Sequence, residues 1–393
     1  MKDGEGGSGK FGPNNTKQLL VHMSMMTNLV LAALLPTALA TPALMPFDIL
    51  PANASLPPVH RNSKMVSWGI AVAKGDDGRF HSFIDTIAGG CSLGYWQSNS
   101  EIYHATADAP EGPFSMGERV LPTFNSNPSL TRAADGTWLL FSIGQGTVVP
   151  TNCTTTHAPG SMGYGTRGYT GNITTVHYSK SLNGPWEQLR VPDGSGKAGA
   201  TTTAILPGFT NPSATALANG TIVVAGIPQG CCSDGYAHVA TAPSWQGPYT
   251  IVRDRPLVQW DDQKDRLFVF EDVHLWFDSP SHRWMMLMHQ YNRSEPQTQA
   301  LDGGFAISAD SNLWSPWNYS SWREPAYTNA VEWSDGGDNR WVDLMQRRER
   351  PFLLHDAGGA PTHLYTAVCP PGDVANAECY TIVNPLRRKH ADT

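Results

Sequence analysis

Two short stretches of the sequence place carboxyl groups where acid–base chemistry could occur. F-E-D-V carries Glu271 and Asp272, and E-R-P carries Glu349 directly before Arg350. General acid–base catalysis needs one carboxyl group that holds a proton and another that is ionised. A neighbouring arginine favours the ionised form, whereas burial raises the pKa of a carboxyl group, so two such groups can divide the roles. We predict Asp272 and Glu349 as this pair, with Glu271 as a further catalytic candidate.

The two stretches belong to a recurring pattern in which a short corner precedes a β-rich segment. The five corners are S-W-G-I (67–70), N-P-S (127–129), N-P-S (211–213), E-D-V (271–273) and E-R-P (349–351). The equivalent positions are Asn127, Asn211, Asp272, Arg350 and, in the first corner, Trp68 or Gly69. Neighbours on a strand point to opposite faces, so only one residue of each pair, Glu271–Asp272 or Glu349–Arg350, should reach a ligand.

Other residues near the corners could bind a ligand. His274 shares the face of Asp272, Asp85 is expected in a loop after F-H-S-F-I-D, and Trp68 and Trp96 could stack on a flat ligand or fill the core. The segment Ala326–Trp341 is expected to be a loop that shapes the rim of a site. Two structural alternatives stay open: the Asn-Pro corners could serve only as turns, and Glu349–Arg350 could be an ion pair between repeats.

An internal repeat indicates the elements that position these residues. A Pro-aromatic phrase recurs as E-G-P-F, N-G-P-W, Q-G-P-Y and S-P-W, with prolines 72, 63 and 68 residues apart. Between the phrases lie turns such as D-D-G and N-G followed by β-rich stretches, which are typical of hairpins. Five such units predict an all-β, five-bladed β-propeller with four-stranded blades over residues 41–393. The blades should begin near residues 66, 127, 211, 271 and 349, and the segment after residue 40 could complete the ring. A pair of β-sandwiches is the alternative architecture.

Composition supports a β-rich chain and excludes one class of partner. Of the 393 residues only 16% are charged and 10% are aromatic, with 38 Gly and 30 Pro, which suits short strands joined by turns. The net charge of −7 gives no basic surface for nucleic acid, so we expect none as a partner. We expect a monomer. No H-E-x-x-H or comparable spacing occurs, so the sequence assigns no metal site and no cofactor.

The N-terminal 40 residues are typical of a leader and signal peptide. An apolar run from Asn28 ends in the small-x-small triplet Ala38–Ala40 and is short for a membrane span. Met23, Met25 or Met26 could be the true start, and a signal anchor is the alternative. After residue 40 the chain carries six N-x-S/T sequons, and its six Cys include no C-x-x-C pair; both features agree with secretion, and the Cys with disulfide bonds. Cys369–Cys379 is the simplest pairing to expect.

The five corners, the closing G-P-W-like phrases and the export signals together resemble the five-bladed furanosidase superfamily, which includes glycoside hydrolase families 43 and 32. Family 43 enzymes take a carboxylate base from blade one, a second Asp from blade two and a Glu acid from blade three. Here those corners carry S-W-G-I, Asn127 and Asn211, so the usual triad does not carry over. The resemblance implies a carbohydrate ligand and, in some members, a cation on the channel axis.

Three functions follow from the resemblance. Hydrolysis of glycosidic bonds in poly- or oligosaccharides would use Asp272 and Glu349, since it needs one protonated and one ionised carboxyl group. A carbohydrate-binding propeller without catalysis would account for the Asn corners. A glycoside phosphorylase would use Arg350 to hold phosphate.

Overall fold

The structure is a computed structural model that describes residues 44–56, 65–147, 149–150, 152–153, 173–228, 237–252, 256–257, 268–292, 302–320 and 324–389. The predicted leader and signal peptide, residues 1–40, lie outside this part of the chain, and so do Cys231 and Cys232. Within it, no helix has the length and apolar character needed to cross a membrane.

Strands dominate the described residues. In chain order they are β1 Phe47–Ile49, β2 Ala52–Asn53, β3 Ser67–Lys74, β4 Phe80–Ile87, β5 Ser100–Ala107, β6 Ser115–Leu121, β7 Ser126–Arg132, β8 Trp138–Ile143, β9 Ile173–Ser179, β10 Glu187–Gln188, β11 Val191–Pro192, β12 Thr201–Thr202, β13 Leu206–Pro207, β14 Phe209–Ala216, β15 Ile222–Pro228, β16 His238–Ala242, β17 Thr250–Val252, β18 Phe268–Asp278, β19 Arg283–Asn292, β20 Asp302–Ser308, β21 Trp317–Tyr319, β22 Ala330–Ser334, β23 Arg340–Leu344, β24 Arg347–His355, β25 Pro361–Cys369 and β26 Tyr380–Arg388. The helical elements are α1 (Trp96–Asn99) and two 3-10 turns, Ala88–Gly90 and Leu93–Tyr95.

Most strands form antiparallel sheets with four strands in sequence. Sheet A is β3–β6, sheet C is β14–β17 and sheet D is β18–β21. Sheet B contains β7–β10 and a fifth strand, β13, which pairs with β9. Sheet E orders its strands as β24, β25, β26 and β1, so the first strand of the chain completes the last sheet. The prediction of an all-β chain built from four-stranded sheets is confirmed. There are two smaller sheets. One pairs β11 with β12, and the other orders its strands as β2, β22 and β23.

The first strands of the five sheets contact one another in a closed cycle. β3 contacts β7, β7 contacts β14, β14 contacts β18, β18 contacts β24, and β24 contacts β3. The apolar core lies between consecutive sheets rather than in one block. One cluster, for example, joins Ile70 and Phe83 of sheet A to Leu130 of sheet B and Phe352 of sheet E. Burying such side chains contributes about 1.5–3 kcal/mol each, so the sheets stabilise one another.

The repeated Pro-aromatic phrases fill these inter-sheet spaces. Trp186, at the end of sheet B's phrase, packs edge-on against Phe83 of sheet A with ring centroids 5.0 Å apart. Tyr249 of sheet C likewise meets Phe141 of sheet B at 6.2 Å. Gly184 has a φ of +81°, a conformation that favours glycine, and a Cβ there would lie 3.2 Å from the Trp186 ring. In sheets B and C the sequence repeat therefore marks an aromatic residue that packs against the preceding sheet.

Replacing Trp186 with alanine should lower the free energy of unfolding by about 2–3 kcal/mol, because the ring is half-buried between two sheets. Urea denaturation followed by circular dichroism measures this. Met116→Ala is the matched control, since Met116 is 39% exposed on an outer strand and should change stability by less than about 0.5 kcal/mol. Equal effects of the two substitutions would contradict the sealing role.

Two disulfide bonds are present in the described part of the chain. Cys369 pairs with Cys379, which confirms the pairing expected from the sequence, and Cys91 pairs with Cys153. Cys369 ends β25 and Cys379 directly precedes β26, whereas Cys91 and Cys153 follow the ends of β4 and β8, the second strands of sheets A and B. They lie at the end of these sheets where the first strands also begin, because neighbouring strands run antiparallel.

Candidate active site

The five corners predicted from the sequence all fall on β-bulges in the first strands. In each strand the pairing register shifts at the same point: between Ser67 and Ile70, Ser126 and Ser129, Thr210 and Ser213, Glu271 and His274, and Glu349 and Phe352. In each bulge one residue has positive φ: Gly69, Asn127, Asn211, Asp272 and Arg350. Bulges re-aim side chains, and a non-glycine residue with positive φ is a strained conformation often found at functional sites.

The residues at and after the bulges line a cavity between the first strands. Its wall includes Asn127, Asp272, His274 and Arg350, together with residues that follow each bulge: Ile70, Pro128, Ser129, Pro212, Ser213, Val273, Pro351 and Phe352. Nη1 of Arg350 lies 3.0 Å from Oδ1 of Asp272 and donates a hydrogen bond of 3.3 Å to Oδ1 of Asn211. Arg350 thus links sheets C, D and E at the cavity.

Asp272 forms a largely buried ion pair with Arg350. Its carboxyl group is 2% exposed and the Arg350 side chain is 11% exposed. Burial raises the pKa of Asp272, and the positive charge of Arg350 opposes this rise. The structural interpretation of an inter-repeat ion pair therefore applies to Arg350, but its partner is Asp272 and not the adjacent Glu349.

Glu349 pairs with Arg347, two residues earlier on the same strand. Nε and Nη2 of Arg347 lie 2.7 and 2.6 Å from Oε1 of Glu349. Burial acts to raise the pKa of Glu349, but Arg347 and His289 outweigh it and hold the pKa below its ordinary value. The Arg347 guanidinium also covers the ring of Trp68, 5.2 Å from its centroid. Glu349 is thus an ionised carboxylate in a buried setting.

Glu271 lies on the adjacent sheet and has the opposite tendency. Its pKa is raised to about 7, first by burial and then by the negative charges of Asp272 and Glu349. His289, which pairs with Glu271 across β18 and β19, lies 3.9 Å from Glu349 through Nε2. Burial lowers the pKa of His289, and the negative charges of Glu349 and Asp272 oppose this. One carboxyl group that holds a proton near neutral pH therefore lies beside one that is ionised.

Of each neighbouring pair, one residue lines the cavity: Asp272 and Arg350 belong to its wall, and Glu271 and Glu349 do not. Ligand atoms of Glu271, Asp272 and His289 nevertheless lie within 4.8 Å of one another. The bulge interrupts the alternation of side chains at Asp272, which allows the two neighbouring carboxyl groups to lie this close together. At Arg350 the same irregularity places the guanidinium in the cavity wall while Glu349 pairs with Arg347.

Several sequence candidates lie outside the cavity wall. Asp85 lies within β4, 1% exposed, and not in the loop where we expected it. Its Oδ2 accepts hydrogen bonds from the Ser126 hydroxyl (2.6 Å) and the Asn127 backbone N–H (3.0 Å), and burial raises its pKa to about 7. Asp85 therefore stabilises the bulge at Asn127 through these two hydrogen bonds.

The two tryptophan candidates pack inside the protein. Trp68 is 2% exposed and supports Arg347 with its ring, so that face is covered. Trp96 begins α1 and packs against Phe124, with ring centroids 5.9 Å apart. His274 lines the cavity and accepts a hydrogen bond from the Leu353 N–H through Nε2, while burial lowers its pKa to about 3. A neutral His274 can accept a hydrogen bond here but carries no charge to a ligand.

We call Glu271, Asp272, His289, Arg347, Glu349 and Arg350 the carboxylate cluster. Sequence reasoning missed two of its members, Arg347 and His289. Arg347 stands two residues before Glu349, so strand alternation alone places both on one face and could have identified it. His289 follows an apolar run in β19, and only the register between β18 and β19 brings it opposite Glu271.

The cluster has limited capacity for a cation. Glu271, Asp272 and His289 have suitable ligand atoms at short mutual distances. However, Arg350 already supplies a positive charge to Asp272 in the wall of the cavity, and Arg347 supplies one to Glu349. The residues present therefore do not fit an additional cation on the axis.

Comparison with solved structures identifies the fold. The chain is similar to the catalytic domain of a GH62 alpha-L-arabinofuranosidase from Coprinopsis cinerea, with 13% identity, a TM-score of 0.53, and coverage of 86% of this chain and 97% of that one. It is also similar to an alpha-L-arabinofuranosidase from Podospora anserina in complex with cellotriose (10%, 0.52, 86% and 98%) and to a glycosyl hydrolase from Bacteroides ovatus (12%, 0.53, 88% and 95%).

Sequence comparison adds no closer assignment: neither a family model nor a curated protein matches the chain. Identities of 10–13% are evidence of a shared fold only. The chain therefore has a fold similar to that of these solved glycoside hydrolases.

Proposed function

We propose that the protein is a secreted glycoside hydrolase on a five-bladed β-propeller, and that it cleaves glycosidic bonds in poly- or oligosaccharides. The observation that carries this proposal is the carboxylate cluster, in which Glu271 retains a proton near neutral pH while Arg347 holds Glu349 ionised. Glycoside hydrolysis needs this division between two carboxyl groups.

The roles within the cluster follow from these charges. Glu271 is the general acid that protonates the leaving oxygen, and Glu349 is the carboxylate that activates water or attacks the sugar. The sequence had suggested Asp272 in place of Glu271. Asp272 is engaged by Arg350 at 3.0 Å, so we assign it to holding Arg350 and to raising the pKa of Glu271 through its negative charge.

The five-bladed architecture is supported by the five sheets, four of them four-stranded and one five-stranded, and by the cyclic contacts of their first strands. In a propeller, such strands surround the axis, and ligands bind where they begin. Secretion is supported by the signal-like N-terminus and the two disulfide bonds, which persist in oxidising compartments. Sequon residues Asn53, Asn152, Asn219 and Asn318 are exposed, as glycosylation requires.

The substrate is tested first among arabinofuranosides, since two of the similar solved structures are arabinofuranosidases. Protein secreted from a eukaryotic host is incubated with 4-nitrophenyl glycosides and with soluble arabinoxylan and arabinan, and released sugar is measured with and without phosphate. Phosphate-independent release supports hydrolysis. Binding without release would make the protein a carbohydrate-binding propeller, and release that requires phosphate would make it a phosphorylase.

The rate should depend on pH with a basic limb near neutrality. Glu271 must be protonated to act as the acid, so the rate constant should fall as pH rises through about 7. Glu349 must be ionised, and its lowered pKa places the acidic limb below its ordinary range. Initial rates from pH 3 to 9 measure both limbs. In Glu271→Gln the residual rate should lose the basic limb; a limb that persists there would assign it to another group.

A further inference from the structure

A hairpin next to the carboxylate cluster exposes an unusual amount of apolar surface. It consists of β22 and β23, antiparallel, and the sequence had suggested a loop for this segment. Its turn is ordered by Asp335, which accepts hydrogen bonds from the Gly337 N–H (2.8 Å) and from Nδ2 of Asn339 (2.7 Å). We call residues 330–344 the rim hairpin.

The exposed apolar side chains concentrate on one strand of the rim hairpin. Trp341 is 42% exposed, Val342 is 44% exposed and Leu344 is 65% exposed, all on the five-residue strand β23. The other large exposed apolar residues in the described part of the chain, Met116, Val149 and Val374, are scattered. Because side chains alternate along the strand, Trp341 lies on the same face as its cross-strand partner Trp333, and Val342 and Leu344 lie on the other face. Exposed apolar side chains gathered on one short strand, unlike scattered single ones, indicate a binding surface.

The opposite side of the hairpin is firmly anchored. Val331 and Trp333 of β22 are buried in a cluster with Val368, Tyr380 and Ile382 of sheet E. Trp333 is the direct cross-strand partner of Trp341, so the exposed ring rests beside a buried one. On its far side β22 pairs with β2, which leaves β23 at the edge of this small sheet among the described residues. The platform is therefore rigid, and binding to it would cost little ordering entropy.

The chemistry of the edge fits a neutral carbohydrate chain. A half-exposed indole offers a flat apolar surface with a polar N–H, which suits the C–H faces and hydroxyls of sugar rings. Arg340 and Glu332 form an ion pair beside it (3.2 Å), and Asp335, Asp338 and Asp343 add three further carboxylates to the hairpin. This excess of negative charge favours a neutral polymer over a polyanion.

The hairpin leads directly into the strand that carries Glu349. β23 ends at Leu344, and β24 begins at Arg347 and carries Glu349. Because only Met345 and Gln346 intervene, the rim hairpin stands at the end of the first strands where the bulges lie. A polymer bound at the cluster could therefore continue along the hairpin.

We infer that the rim hairpin is a secondary binding surface for a neutral polysaccharide, with Trp341 as its stacking residue. This inference rests on the proposed function and adds that the substrate is an extended polymer rather than a short oligosaccharide. The exposed strand could instead pair with a second copy of the chain, and the test separates the two occupants.

The experiment compares Trp341→Ala with Trp341→Tyr and with the matched control Met116→Ala, which removes a side chain of similar exposure on sheet A. Affinity electrophoresis in gels that contain arabinoxylan, arabinan or xyloglucan measures binding of the full secreted protein. We expect Trp341→Ala to weaken binding to at least one polymer about tenfold, whereas Trp341→Tyr and Met116→Ala retain it. In kinetics, KM for that polymer should rise while turnover of a 4-nitrophenyl glycoside is unchanged.

The outcomes distinguish this inference from the proposed function. Unchanged polymer affinity in Trp341→Ala would overturn the inference and leave hydrolysis intact. Trp341-dependent binding without any sugar release would support the inference and refute hydrolysis. A wild-type dimer in light scattering that becomes monomeric in Trp341→Ala, with polymer affinity unchanged, would show that the occupant is a second copy and overturn the inference.

Discussion

Replacing Glu349 with glutamine is expected to lower the rate constant of sugar release by about 10³-fold. Glutamine preserves the shape of the side chain but cannot be ionised, so it neither activates water nor attacks the sugar. Binding of the polymer should persist, because the proposed rim hairpin does not involve Glu349. The measurement is initial rate against substrate concentration, which separates the loss in kcat from any change in KM.

The control for this prediction is Glu118→Gln, which changes an exposed carboxylate on β6 and should leave the rate unchanged. Glu271→Gln should also reduce the rate, but least with substrates whose leaving group needs no protonation, such as 4-nitrophenyl glycosides. A Glu349→Gln protein with a rate near that of the wild type would remove Glu349 from catalysis. If Asp272→Asn alone abolished the rate in a stable protein, the original pairing of Asp272 with Glu349 would be correct.

Replacing Arg350 with alanine is expected to lower the free energy of unfolding by about 3–5 kcal/mol. The substitution leaves the carboxylate of Asp272 buried without its cationic partner, and it also removes a hydrogen bond to Asn211. Such a loss is a large part of the roughly 5–15 kcal/mol that stabilises a typical domain. Urea denaturation at pH 7 measures it.

The pH dependence of this defect gives a direct test of its cause. Burial raises the pKa of Asp272, and removing Arg350 takes away the charge that opposes the rise. At lower pH the variant can protonate Asp272 and remove the buried charge, so the difference in stability from the wild type should shrink as pH falls. The double variant Arg350→Ala/Asp272→Asn should recover much of the stability at pH 7 for the same reason.

The matched control is Arg340→Ala. Arg340 also forms an ion pair, with Glu332 at 3.2 Å, but its side chain is 63% exposed, so its loss should cost less than about 1 kcal/mol. Similar losses for the two arginines, or a double variant no more stable than Arg350→Ala, would show that the buried pair with Asp272 is not the source of the effect.

Much of the fold was predictable because it is repetitive. The Pro-aromatic phrases and hairpin turns recur at intervals set by the sheets, and Trp186 and Tyr249 show what the phrase does: each packs its ring against the preceding sheet. The corners were located by the same repeat, and all five fall on bulges with a residue of positive φ. Residues outside the repeat were harder to place from the sequence. Asp85 belongs to strand β4, although the sequence predicted a loop there.

The electrostatic partners in the site could not be predicted from local order. Glu349 and Arg350 are neighbours in the chain, yet Glu349 pairs with Arg347 and Arg350 pairs with Asp272. The bulges disturb the alternation from which faces are inferred, and the ring brings together residues far apart in sequence, such as Arg350 and Asn211, 139 positions away. His289 joins the cluster only through the register of β18 and β19.

By itself, the sequence determined the β-rich class, the repeated sheets and the five corners that face one another, because hydrophobic periodicity and turn residues act over short distances. Only the tertiary structure decided which carboxyl group holds a proton and which is ionised. Those states depend on burial and on charges contributed by other sheets, and both arise only when the first strands close into their cycle.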